Sequence, residues 1–146
     1  MIAIVQRVKQ ARVEVAGDVV SAIGPGLLVL VCAEPTDAPP QAAKMVDKLL
    51  KLRIFADEAG KMNRSLQDVA GGLLLVSQFT LAADTSAGNR PSFTGAAPAA
   101  QGQALYEETL RLARERHPGV QAGVFGADMQ VHLVNDGPVT IPITVR

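Results

Sequence analysis

Two long apolar runs, Leu27 to Ala33 and Leu73 to Leu81, set the strongest limit on how this chain can fold. A strand with one covered face alternates apolar and polar residues, whereas an unbroken apolar run needs cover on both faces. The chain must therefore place these strands inside a sheet with packing layers above and below. Gly24-Pro25-Gly26 precedes the first run as a turn, and Gly71-Gly72 precedes the second. At 146 residues there is room for one core, so residues 1–146 are read as a single domain.

The remaining segments supply the layers. Ile2 to Val8 and Arg12 to Ile23 read as strands, the second folding on itself at Ala16-Gly17-Asp18. Pro39 and Pro40 open a helix whose inward stripe is Ala42, Met45, Val46, Leu49 and Leu50. Arg53-Ile54-Phe55 begins a short strand, followed by a turn at Asp57-Glu58-Ala59-Gly60. A long loop covers Ala82 to Ala97, and loops of that length without structure of their own tend to carry function. A second helix is expected from about Pro98 to Arg116, with Leu105, Thr109, Leu112 and Ala113 inward, stopped by His117-Pro118-Gly119. Three strands close the chain: Val120 to Phe125, Met129 to Val134 and Val139 to Val145. Asn135-Asp136-Gly137 is read as a hairpin turn between the last two. This order predicts a compact, layered α/β domain with two main helices.

Composition narrows the function classes. Fourteen basic residues balance fourteen acidic ones, so extensive coating of nucleic acid by phosphate neutralisation is excluded. Arg7, Lys9 and Arg12 lie close in sequence and read either as a small basic patch guiding one RNA end or as a solvated strand face. With four Phe, one Tyr and no Trp, there are few platforms for stacking successive bases. Cys32 is the only cysteine and follows an apolar run, which reads as an inert core thiol and excludes an internal disulfide. Only four apolar residues stand between Met1 and Gln6, too few for a signal peptide, and no stretch spans a membrane. A cytoplasmic protein without a membrane partner is expected.

Groups that could do chemistry are few. His117 sits at a helix C-terminus, and His132 alternates with Val131 and Leu133 in a strand, so both read as structural. There is no HExxH, no Walker-type glycine loop and no GxSxG elbow, so no metal and no cofactor is expected. Ser77, Gln78 and Thr80 interrupt the second apolar run. Buried hydroxyls and amides are costly unless bonded, so they mark either a strand emerging into solvent or a pocket floor aimed at a carbonyl oxygen. Gly137-Pro138 is likewise either an ordinary turn or a specified cis-proline feature.

Seven segments together resemble the D-aminoacyl-tRNA deacylase family, also called D-tyrosyl-tRNA deacylase, over essentially the whole chain. They are AIVQRV (3–8), AIGPGLLVLV (22–31), LRIFADEAGKMN (52–63), VSQFTL (76–81), NRPSFTGAAP (89–98), GVFGADMQV (123–131) and NDGPVTIPI (135–143). The SQFT and NDGPVT elements match the family's two signature motifs. The sequence departs from common family patterns at Asn89, where many relatives are basic, at Ala99, where a second Pro is frequent, and at Ala82, often aromatic.

The resemblance implies a compact layered α/β domain of mixed, mostly antiparallel, barrel-like sheet, working as a homodimer on the 3′ end of aminoacyl-tRNA. Ser77, Gln78, Phe79 and Thr80 would line the pocket of one subunit. Gly137-Pro138 of the partner, with a cis bond, would reach into it and exclude L-amino acids. Phe125 and Met129 would contact the terminal adenosine, and Arg7 would help fix the Gly-Pro turn. The implied reaction is hydrolysis of the D-aminoacyl ester, extending to glycyl-tRNA mischarged on alanine tRNA. The vicinal 2′-hydroxyl of the RNA would assist, with Thr80 as nucleophile the competing view. A small-molecule esterase using Ser77 or Thr80, and a non-catalytic RNA-binding module, are the other classes the residues allow.

Overall fold

The computed structural model describes residues 1–146. Its centre is a long strand, β1 (Ile2–Val15), which carries neighbours on both edges. Along one edge, β2 (Asp18–Ile23) pairs antiparallel with its far half and β3 (Gly26–Cys32) antiparallel with its near half. The other edge is taken by β8 (Gln130–Thr144), antiparallel from Ile2 to Glu14. Beyond β3 the sheet continues in parallel through β6 (Gly72–Ser77) and β7 (Val120–Ala122). The result is a mixed, mostly antiparallel, nearly closed barrel-like sheet. A small antiparallel pair, β4 (Phe55–Ala56) and β5 (Met62–Arg64), lies outside it.

Helix α1 (Pro39–Lys51) buries the five expected stripe residues, Ala42, Met45, Val46, Leu49 and Leu50. Helix α3 (Ala99–Arg116) buries Leu105, Tyr106, Thr109, Leu110 and Ala113. The expected inward set had Leu112 instead of Tyr106 and Leu110; Leu112 is only half-buried at the edge of the core. A one-turn helix, α2 (Leu66–Val69), was not anticipated. It is closed by a capping box in which Ser65 Oγ accepts from Asp68 N–H (3.1 Å) and Asp68 Oδ2 accepts from Ser65 N–H (2.8 Å).

The unbroken apolar runs are explained by two cores, one on each face of the central strands. Leu27, Val29 and Val31 of β3, with Leu73 and Leu75 of β6, face the larger core beneath α1 and α3. Leu28 and Leu74 with Val76 face a smaller core inside the barrel. β1 serves both. Ala3 and Val5 belong to the larger core, Val8, Ala11 and Val13 to the smaller. The pairing of β1 with β8 shifts register on either side of Val8, where inward side chains move from odd positions to Val8.

Several expected boundaries move. β1 runs unbroken through Lys9 to Ala11 because β8 pairs with it on both sides of that stretch, at Val8 and again from Gln10 to Glu14. The strand starting at Leu73 stops at Ser77, and Phe79–Ala82 turn into a single 3-10 helix. The strand expected from Arg53 begins at Phe55, and Val120 to Phe125 shrinks to Val120–Ala122. The larger correction concerns Asn135-Asp136-Gly137, which does not reverse the chain. Met129 to Val134 and Val139 to Val145 are two halves of β8, both laid along β1, and the intervening residues bulge out opposite Arg7. The sequence signal reported local freedom of φ, and the length of β1 decided that the chain continues forward.

Candidate functional site

The parallel strands β3 and β6 end side by side, and a cavity of about 560 Å³ opens at their carboxyl ends. Crevices at strand ends are where α/β sheets accept ligands. Cys32 and Ala33 at the end of β3, and Ser77, Gln78 and Phe79 at and just beyond the end of β6, form one side of it. Helix α3 adds Gly102 and Tyr106, the long loop adds Phe93, and the segment before β8 adds Phe125 and Met129. The β6 end is tied to its neighbour by Gln78 N–H donating to the Val31 carbonyl (2.8 Å). Ala97 N–H donates to the Ala33 carbonyl (2.9 Å), which fixes the far end of the loop.

Three of the four residues of the Ser77–Thr80 segment face the cavity. Thr80 does not line it; its hydroxyl accepts from Gln78 Nε2 (2.6 Å) and holds that amide in place. Phe79 and Thr80 open the 3-10 turn, so the turn itself does not use their N–H groups. The first N–H groups of a helical turn lack partners within it and are suited to an anionic or carbonyl oxygen. Of the two alternatives for the interrupted strand, emergence into solvent and a pocket floor, the geometry combines both: the strand leaves the sheet at the mouth of the cavity.

The walls are aromatic and apolar. Phe79 and Phe93 meet edge to face, with ring centroids 5.1 Å apart. Tyr106 and Phe125 lie 6.0 Å apart. Four of the chain's five aromatics therefore line one cavity. Met129 packs so close to Gly123 that a Cβ there would come within 2.8 Å of its sulfur. Val124 N–H also points at that sulfur (3.4 Å), so Met129 is held from both sides.

No histidine faces this space. Asp128 is the one carboxylate on the lining. Burial, reinforced by the Glu34 carboxylate, pushes the Cys32 thiol above its ordinary range. Burial pushes the Tyr106 hydroxyl up to about 12, and that hydroxyl donates to the Leu75 carbonyl (2.8 Å). Both groups stay neutral near pH 7. His117 is buried elsewhere, its Nε2 2.6 Å from the Gly71 carbonyl, and His132 lies on the surface between Glu14 and Arg12.

Gly137, Pro138 and Arg7 are not at this cavity within the same chain. The Gly137-Pro138 peptide bond is cis, and both residues are exposed. Arg7 reaches the base of their loop, Nε donating to the Asp136 carbonyl (2.9 Å) and Nη1 to the Ile54 carbonyl (2.7 Å). Lys9 is exposed and Arg12 is paired with Glu14, so the three basic residues near the N-terminus do not form one patch. Phe93 and Tyr106 were missed as site residues in the sequence. The available signal was their rarity, since in an aromatic-poor chain each ring is a candidate wall.

Comparison with known proteins gives consistent results. The family model described as D-Tyr-tRNA(Tyr) deacylase matches residues 4–144. A protein named D-aminoacyl-tRNA deacylase from Methylibium petroleiphilum is 69% identical over 99% of this chain and 95% of its own. One of the same name from Delftia acidovorans is 65% identical, over 99% and 96%. Among solved structures, a c-Myc DNA unwinding element binding protein superposes with a TM-score of 0.94 at 43% identity, covering 99% of this chain and 98% of its own. A protein described as a probable eukaryotic D-amino acid tRNA deacylase shares the fold, with a TM-score of 0.82 at 19% identity over 97% and 98%.

Proposed function

Because the chain belongs to the D-aminoacyl-tRNA deacylase family, we propose that its cavity receives the aminoacylated 3′ end of a transfer RNA and hydrolyses the D-aminoacyl ester. The observation that carries this reading is the end of β6. Ser77, Gln78 and Phe79 line the cavity there, and Phe79 and Thr80 open a 3-10 turn that does not itself use their N–H groups. Those donors suit the oxygen that becomes negative when water adds to the ester carbonyl. The tetrahedral adduct then expels the ribose oxygen, which takes up a proton, leaving free D-amino acid and intact tRNA. Phe125 and Met129, on the apolar wall, offer a surface for the terminal adenosine.

No histidine is available to activate water, and Thr80 has no base beside it. We assign that task to the 2′-hydroxyl next to the scissile ester, held in place by the pocket. Rejection of L-substrates is assigned to Gly137-Pro138 of a second copy in a homodimer, projecting into the space an L side chain needs. The Gly-Pro loop is exposed and remote from its own cavity, which favours action in trans. Glycine has no Cβ to clash, so glycyl-tRNA, including that mischarged on alanine tRNA, falls within the substrate range. The setting for such editing is the cytoplasm.

The test is incubation of the enzyme with D- and L-aminoacyl-tRNA carrying the same amino acid. Rapid release from the D-substrate and from glycyl-tRNA, with the L-substrate spared, is expected. Equal cleavage of both enantiomers, or none of either, overturns the reading. Thr80→Ala should retain activity within about tenfold, and a terminal 2′-deoxyadenosine should abolish it. The reverse pair of results would replace RNA assistance with a threonine nucleophile.

A further inference from the structure

Where β8 passes Arg7, the ladder with β1 is interrupted. Gln6 pairs with Thr140 and Val8 with Asn135, so Asp136 to Val139 stand opposite a single residue of β1. Backbone groups in such a bulge lose their ladder partners and must find others or remain mobile. Here side chains supply them. Asn135 Oδ1 accepts from Val139 N–H (2.7 Å), while Asn135 Nδ2 donates to the Val139 carbonyl (3.3 Å) and to Thr140 Oγ1 (2.9 Å). One amide thus closes the loop at its base, binding the residue before the bulge to its last residue and to the one after it. Arg7 holds the other strand of the loop through the Asp136 carbonyl.

The burial pattern gives this clamp a purpose. Asn135 and Asp136 are half-buried and Val139 is buried, yet Gly137 and Pro138 between them are exposed. The anchors are set and the tip projects. The tip also leaves no room for a side chain at Gly137. A Cβ at Gly137 would lie 2.7 Å from Val139 Cγ2 and 2.9 Å from Val139 N. Position 137 therefore admits no side chain, and the direction of the tip is set from its base.

We infer that Asn135 is a positioning residue for stereochemical discrimination: with Thr140 it fixes the direction in which Gly137-Pro138 projects. Discrimination by exclusion needs an obstacle placed to a fraction of an ångström, which a loop with free ends cannot provide. The inference rests on the assignment of Gly137-Pro138 as the obstacle made under the proposed function.

The experiment measures deacylation of D- and L-aminoacyl-tRNA by the full-length protein and by Asn135→Ala, Thr140→Val, Thr140→Ser and Pro138→Ala, each with its melting temperature. A variant that is merely less stable loses active molecules, which lowers both rates together and leaves their ratio unchanged. Asn135→Ala should lower the D-to-L ratio at least tenfold in the folded protein. Thr140→Val, which removes only the hydroxyl acceptor, should lower it about threefold, and Thr140→Ser should restore it. A folded Asn135→Ala with the wild-type ratio overturns the clamp. Should that variant fail to fold, an unchanged ratio in Thr140→Val overturns it instead. An unchanged ratio in Pro138→Ala, or a wild type that does not favour the D-substrate, strikes the exclusion reading itself and the clamp with it.

Discussion

Tyr106 joins core and cavity in one side chain. Its ring packs in the larger core and lines the pocket, while its hydroxyl donates to the carbonyl of Leu75 in β6 (2.8 Å). Replacing it by Phe removes that donor and should cost about 1 kcal/mol at pH 7. Burial has a second consequence. It raises the folded-state pKa from 10.0 to about 12, while the unfolded chain titrates near 10. A group whose folded pKa is raised stabilises fully below its unfolded value and progressively less as pH climbs toward the folded one. The stability advantage of wild type over Tyr106→Phe should therefore shrink between pH 10 and 12. As the chain has a single tyrosine, its ultraviolet absorbance reports the titration directly. A midpoint near 10 in the native protein, or a constant gap between the two melting curves, would contradict this. None of it was legible in the sequence, because Tyr106 sits next to the expected inward position Leu105 and helical spacing alone does not say how wide a buried face is.

At the scale of elements, β3 and β6 approach through glycines. Gly26 pairs with Gly72 in the parallel ladder, and a Cβ on Gly26 would fall 1.9 Å from the Gly72 carbonyl oxygen. Nothing but backbone movement relieves that contact. Gly26→Ala should lower stability by about 3 kcal/mol or more, or prevent folding. Gly24, two residues earlier in the same turn, has nothing within 4 Å of its Cβ position and no positive φ. Gly24→Ala should be neutral or stabilise by up to about 1 kcal/mol through the unfolded chain. Chemical denaturation of the pair checks both, and equal effects would refute the close-approach argument. The sequence marked both glycines only as turn formers. It read α1 correctly because one buried face writes a full helical stripe, from Ala42 to Leu50. It located the two central strands because double burial leaves an unbroken apolar run, and it carried the second too far, past Ser77, where the polar residues begin. It misread Asn135-Asp136-Gly137 because a bulge and a hairpin ask for the same residues, and only the partner strand distinguishes them. The strand β4, two residues long, leaves no period to detect.

For the whole molecule, the site was legible only in pieces. Ser77 to Phe79, Phe125 and Met129 come together from segments almost fifty residues apart, and their convergence depends on the parallel crossover between β6 and β7. Charge, in contrast, is a property the full sequence states outright. Fourteen cations balance fourteen anions, and many of the cations are already paired: Arg12 with Glu14, Lys51 with Asp47, Arg111 with Glu108 and Glu115, Arg64 with Glu58, and Arg146 with Glu34. Arg90, on the loop that brings Phe93 to the cavity, is outside these pairs. A protein so balanced can neutralise few phosphates, and under the proposed function its grip on tRNA comes from the apolar cavity around the 3′ end. Each phosphate contact to a single-stranded end contributes about 0.7 to the slope of log affinity against log salt. With about three contacts, affinity should fall by roughly twentyfold or less between 50 and 200 mM salt. A drop on the order of a thousandfold would require about seven contacts and would mean that the acceptor stem, rather than its tip, is what the protein holds. Removing this cation of the Phe93 loop, by Arg90→Ala, should flatten the slope by somewhat under one unit and leave the D-to-L ratio unchanged, because a phosphate contact positions the RNA without sensing the configuration of the amino acid.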